Sequence, residues 1–357
     1  VGHRFVQATI RLFMVCAALI ALARIGGTAA DADILLLNVL NPDADIYLVD
    51  AGRALTAALT RGGDFDGHAI WSPDGNAIAF DSNRGADWDI YTMTAFGADV
   101  RPVTTGSEPA ASFSPVWSPD GTQIAHFQRL QGQSYAALFV TARDGSHTQR
   151  LSDYYIMSVQ RPTWTADGAQ IVFAALHGDG SDIFITDARP PAQAAPPRER
   201  TIAAHPAYDS APAPSPDGRW IAFVSDRETI FTSRLVPHLY DSTTNETRLL
   251  NTTPDADINA LTWSPDGARL AALEYPRTGL PPRLIAFDPN DGSVTTLLDG
   301  RYFVSSPPAW SPDGRWIAVG GFALTPFGIS LLVLDTETGA VQAIRAPGPI
   351  TSAAWRP

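Results

Sequence analysis

After residue 30 the apolar residues fall in short runs separated by polar, Gly- and Pro-rich breaks, and no stretch sustains a helical period. The runs Ile78-Ala79-Phe80, Ile171-Val172-Phe173, Ile221-Ala222-Phe223 and Ile317-Ala318-Val319 each follow a turn sequence, and in most repeats a short segment ending in Trp precedes that turn. Short runs rich in β-branched and aromatic residues, bounded by turn residues, predict strands. Another run follows in most cases: Asp89-Ile90-Tyr91, Asp182-Ile183-Phe184, Leu284-Ile285-Ala286-Phe287 and Leu331-Leu332-Val333-Leu334. Hairpin turns then come at Asp144-Gly145, Asn290-Asp291-Gly292 and Thr338-Gly339, ahead of fourth runs such as 295–298 and 341–344.

The pattern is periodic. Trp-Ser-Pro-Asp-Gly stands at 71–75, 117–121, 263–267 and 310–314, with degenerate copies at 164–168 and 214–218 and a fragment, Trp355-Arg356-Pro357. Successive Trp slots lie 45 to 50 residues apart, the period of a propeller blade or a helical array. Ser-Pro-Asp-Gly has the composition of a type I turn, with Ser first, Pro presetting φ at the second position and Gly fourth. Four short strands per repeat select the propeller. Residues 34–60 hold three strand-like pieces without a Trp motif before them, and 352–356 supply a first strand. The expectation is an all-β, seven-bladed propeller: six full blades plus one blade shared by the two ends. The alternative is six blades and a loose tail.

The motif order Trp-Ser-Pro-Asp-Gly, Ile-Ala-Phe, Asp-Ile-Tyr resembles the TolB-type propeller repeat, a WD-repeat-like family, over residues 34–357. It is also similar to the propellers of dipeptidyl- and prolyl-oligopeptidases and of oligogalacturonate lyases. The resemblance implies a fold more than a function, since one fold hosts many functions. It does not reach the α/β domain that TolB proteins carry ahead of their propeller, nor the peptidases' hydrolase domain. The segment nearest a Gly-x-Ser-x-Gly elbow, Gly132-Gln133-Ser134-Tyr135-Ala136, breaks that pattern. Trp88-Asp89 is a single WD-like dipeptide.

Charge and composition narrow the chemistry. All 25 basic residues are Arg, which removes the Lys that a phosphate loop or a Schiff base requires. The net charge of −12 disfavours nucleic acid and anionic membrane surfaces as partners. Cys16 is the one cysteine and lies in the N-terminal apolar stretch, leaving the rest without disulfide, thiolate metal site or thiol nucleophile. Residues 1–30 read as a signal peptide or N-terminal anchor: Arg4 and Arg11, the apolar run Leu12 to Ala23, then the small residues 26–32. The propeller, residues 31–357, is then expected outside the cytoplasm. Any contact with a membrane is expected only through an uncleaved N-terminal segment.

Trp71, Trp117, Trp164, Trp263, Trp310 and Trp355 are expected to pack between blades, and the motif Asp residues to form turns. Positions where the repeats disagree are more informative. Loops entering the inner strands and loops between second and third strands share one face and rim the channel. They carry Asp66, His68, Arg84, Trp88, Gln160, Arg161, His177, Asp209, Arg227, Asn259, Tyr275 and Arg277. This polar rim suits a peptide, a sugar or a protein loop.

No complete catalytic constellation is visible, and no cofactor is expected. Of the histidines, only His68 and His177 are expected to face the channel side, whereas a metal needs about three ligands. His126 replaces a Phe of other blades and reads as a neutral core residue, while His205 and His238 fall near outer or third-strand ends. The reading is a monomeric, non-catalytic scaffold that binds another envelope protein or peptide. The alternatives are a metal-dependent lyase of the oligogalacturonate type and a sensor of a small polar ligand.

Overall fold

The computed structural model describes residues 33–357 apart from 42, 86, 105–109, 153–159, 178–179, 189–198, 203–204, 229–233, 251–254 and 325–326. The described residues form seven antiparallel sheets arranged as blades around a ring, so the seven-bladed propeller stands. The export or anchor segment 1–30 and the Pro-rich stretch 190–197 lie outside them. Among the described residues no helix is long and apolar enough to cross a membrane.

Blade 1 joins the two ends of the chain. Its inner strand, Ile350–Trp355, pairs antiparallel with Ile34–Asn41, which pairs in turn with Asp43–Asp50 and then Leu55–Ala58. Blades 2 to 6 each use four consecutive strands. Blade 7 departs from the expected single first strand. Its inner strand is split into Tyr302–Val304 and Ala309–Trp310, both paired with Trp316–Leu324. Pro307 and Pro308 lie in the break, where proline cannot donate to the ladder.

Each motif turn closes in one way. In the first, Gly75 donates its N–H to the Ser72 carbonyl at 2.8 Å, with Gly75 at φ +65°. Asp74 accepts from the Ser72 hydroxyl at 2.5 Å and from the Asn76 N–H at 3.1 Å. Those hydrogen bonds hold the Asp74 carboxyl below its ordinary range. The acid is a turn brace, and the glycine is there because a side chain resists that φ.

The tryptophans tie neighbouring blades together. Five of the six motif indole N–H groups reach back to the carbonyl just before the preceding blade's Trp slot. Trp71 donates to Ala354 at 3.2 Å, Trp164 to Val116 at 3.2 Å, Trp263 to Ala213 at 2.8 Å, Trp310 to Thr262 at 3.4 Å and Trp355 to Ala309 at 2.9 Å. Trp117 is buried without a partner for its N–H, and blade 5 carries Pro214 in this slot. Between blades the core is continuous: Trp164, Phe173 and Phe184 of blade 4 pack with Ala125, Phe127 and Leu138 of blade 3.

Candidate functional site

The third position before each Trp slot is where the repeats disagree most, and the backbone explains its importance. His68, Ser114, Ala211 and Ala260 occupy it in blades 2, 3, 5 and 6, all left-handed, at φ 48°, 58°, 54° and 57°. In each the pairing with the second strand shifts register there. The inner strands thus carry a recurrent β-bulge, which re-aims side chains and frees an N–H from the ladder. Blade 4 has Arg161 at the same position.

Two of these positions meet on one carboxylate, and a third feels its charge. Asp81 lies fully buried on the second strand of blade 2, Ala77–Ser82. Its Oδ2 meets the His68 Nδ1 at 2.7 Å and accepts the Ser114 backbone N–H at 2.9 Å. Its Oδ1 is buried beside Gly67 with no hydrogen-bond partner among the described residues. Arg161, two blades away, is the third contributor: Asp81 is the charge its guanidinium feels. Burial pulls the Arg161 pKa down, and the Asp81 charge opposes that pull. Arg161 directly precedes the inner strand of blade 4, Thr163–Trp164, in the slot that His68 fills in blade 2.

Blade 1 shows the same device in neutral form. Asn38 occupies the slot equivalent to Asp81, accepting the Ala69 N–H at 2.8 Å and donating to Ser352 Oγ at 2.7 Å. In blade 6 Leu273 fills the slot, and its neighbour Glu274 is buried and ion-paired with Arg283. Sequence reasoning missed all three. For Asp81 and Asn38 the signal was present: a polar residue interrupts a slot that elsewhere holds Phe127, Ala174, Val224, Leu273 and Gly320.

Most of the rim residues read from the sequence are engaged with one another. Arg84 pairs with Asp66 at 2.7 Å, Arg227 with Asp209 at 2.7 Å and Arg277 with Asp257 at 2.9 Å. In the first two, the Arg Nε also donates to a serine, Ser82 or Ser225, at 3.0 Å. Each of those guanidiniums lies over the phenyl ring of its own second strand, Phe80 or Phe223. Asp209 is fully buried, and burial pushes its carboxyl up to about 6 against the pull of Ser225 and Arg227. Trp88 stacks edge-on against Phe65 with centroids 5.3 Å apart.

Gln160 accepts the freed N–H of Ala211 on the next blade. Asn259 and Tyr275 are half-buried on the strands of blade 6. The His177 side chain lies outside the description.

The other histidines are placed as follows. His126 is fully buried against Phe139, bonded to Thr141 Oγ1 at 2.8 Å, and burial lowers it to about 4. His238 corrects the sequence reading: it is buried within the third strand of blade 5, stacked on Phe223, and burial lowers it to about 4. Among the described residues no three His, Cys, Asp or Glu side chains converge to hold a metal.

The channel-mouth face also displays apolar side chains. Leu40, Leu130 and Leu280 at second-to-third-strand connections, and Tyr208 and Phe303 at entries to inner strands, are exposed there.

A profile of the TolB beta propeller domain matches residues 32–194 and 106–357. The chain is 28% identical to a peptidase of Bacillus subtilis named YuxL, over 50% of this chain and 25% of that one. It is 28% identical to a TolB homolog of Chlorobium luteolum, over 43% of this chain and 32% of that one. It therefore spans a third or less of the length of these two curated relatives. Among solved structures, puromycin hydrolase superposes with a TM-score of 0.71 at 16% identity, over 90% of this chain and 53% of the other. Oligogalacturonate lyase in complex with manganese superposes with a TM-score of 0.63 at 13% identity, over 87% of this chain and 84% of the other. At those identities the structures share the fold alone.

Proposed function

The chain belongs to the TolB β-propeller family, and from that premise we propose that it is an extracytoplasmic scaffold that binds a protein or peptide across its channel mouth without chemistry. The observation that carries this reading is the composition of the mouth face. Leu40, Leu130, Tyr208, Leu280 and Phe303 stand exposed around a polar channel, an apolar display of the kind interaction sites use. The rim carboxylates Asp66, Asp209 and Asp257 are engaged by arginines, which favours a preformed binding surface over a reacting one. The basic and apolar pattern of residues 1–30 supports a place outside the cytoplasm.

The related lyase structure carries manganese, but the described residues do not fit such a centre. His68 has Asp81 beside it and no third donor, while His126 and His238 are buried inside blades.

The test is affinity capture from an envelope extract with the wild-type propeller, with Leu280→Asp and Phe303→Asp variants, and with Val100→Asp on the opposite face. The expected result is a partner held by the wild type and by Val100→Asp and lost with the two mouth variants. Capture insensitive to the mouth variants, or turnover of oligogalacturonate on adding manganese, overturns the reading.

A further inference from the structure

The four rim arginines singled out in the sequence are not equivalent. Arg84, Arg227 and Arg277 each hold a carboxylate of their own blade. Arg161 is half-buried and makes no ion pair or hydrogen bond to any described residue. The carboxylate whose charge it feels, Asp81, is already engaged at Oδ2 by His68 and by the Ser114 N–H. A guanidinium presents five N–H donors in a planar fork suited to two carboxylate oxygens. Holding such a group part-buried without that partner is unfavourable. His68 fills the equivalent inner-strand slot of blade 2, with its side chain 40% exposed. Its Nδ1 is committed to Asp81, so Nε2 is the ring atom left to meet a ligand.

We propose that Arg161 and His68 form a channel site for a single carboxylate of a bound peptide, with Arg161 taking both carboxylate oxygens and His68 Nε2 contacting the adjoining peptide group. This rests on the peptide-binding reading and names the feature of the peptide that is recognised. A polyuronate is the less suitable occupant. The protein carries a net charge of −12, and Arg84, Arg227 and Arg277 are already paired with carboxylates, so repeated anionic groups would meet repulsion. One carboxylate flanked by apolar side chains suits a guanidinium without an ion pair to any described residue, on a face where Tyr208, Leu280 and Phe303 stand exposed.

The test uses acetylated, fluorescently labelled pentapeptides of Leu, Phe, Ala and Ser in three forms: free C-terminal acid, C-terminal amide, and amide with one internal Glu. Trigalacturonate is the competing probe. Polarisation should show the wild type binding at least one acidic form about tenfold or more tightly than the neutral amide. Whichever form is preferred tells a chain terminus from an acidic side chain.

Arg161→Gln should abolish that preference, Arg161→Lys should restore part of it, and Arg101→Gln on the opposite face should leave it intact, with melting curves checking that each variant folds. Equal binding of acid and amide peptides, or an undiminished preference in Arg161→Gln, overturns the site while leaving peptide binding in place. Binding of trigalacturonate but of no peptide overturns both readings, as does binding of neither.

Discussion

Trp355 gives its indole N–H to the carbonyl of Ala309 at 2.9 Å, so the last inner strand is fastened to blade 7 while its backbone is paired in blade 1. The ring is closed twice at one place. Deleting residues 350–357 strips the edge from Ile34–Asn41 and opens this seam, and should lower the melting temperature sharply. Trp355→Ala alone should cost about 3–5 kcal/mol, the usual penalty for a buried aromatic. An unchanged melting curve in both variants would return the six-bladed alternative.

Asp81 is expected to matter for stability through the Ser114 N–H it caps. Asp81→Ala leaves that buried donor unpartnered and should destabilise by about 1–3 kcal/mol. Asp81→Asn should be nearly neutral, because Asn38 of blade 1 performs the same service for Ala69 of blade 2. Denaturant titrations of the two variants check this, and equal losses would show that the charge, rather than the acceptor, is what counts.

The tryptophans should divide into two groups. Trp263→Phe breaks the 2.8 Å bond to Ala213, whereas Trp117 has no such bond to lose. The first substitution should therefore cost about 1 kcal/mol more than the second. Equal destabilisation would mean that ring packing alone joins the blades.

Acid should weaken the fold between pH 6.5 and 4. His126 and His238 are lowered from 6.5 to about 4 by burial, so the folded chain binds fewer protons than the unfolded one in that window. Their stabilising contribution is complete above 6.5 and drains as the pH falls to 4. Asp209 has the opposite sign: raised from 3.8 to about 6, it contributes most below 3.8 and loses that contribution as the pH rises through 6. Two histidines against one carboxylate leave a net loss on acidification. His126→Phe, the residue found at this slot in blades 2, 4 and 5, should match the wild type near pH 7 and exceed it by about 1–3 kcal/mol near pH 4. Parallel pH profiles for the two proteins would contradict the assignment.

The ring, the shared blade and the turn chemistry were legible because the sequence repeats them: Trp71 to Gly75 and its copies state strand end, turn and strand start together. The bulges were legible only as disagreement. His68, Ser114 and Arg161 stood out as mismatched, but nothing local says that the backbone turns left-handed at the first two or that both meet on Asp81. The paired arginines were read as available rim groups because Asp66 and Arg84, or Asp209 and Arg227, are 18 residues apart and meet only across a hairpin. The recurring Ser-x-Arg of 82–84 and 225–227 was the clue to a structural clasp. His238 was misplaced because a strand's end and its interior look alike when its neighbours are Val236, Pro237 and Leu239.

The pairing of Ile34–Asn41 with Ile350–Trp355 also sets a timetable. Some 300 residues of synthesis separate the two partners, roughly 15–60 s at ribosomal speed. Throughout that interval Leu35, Leu36 and Leu37 belong to an edge whose mate does not yet exist, so the nascent chain must be kept from pairing elsewhere while the other six blades are made.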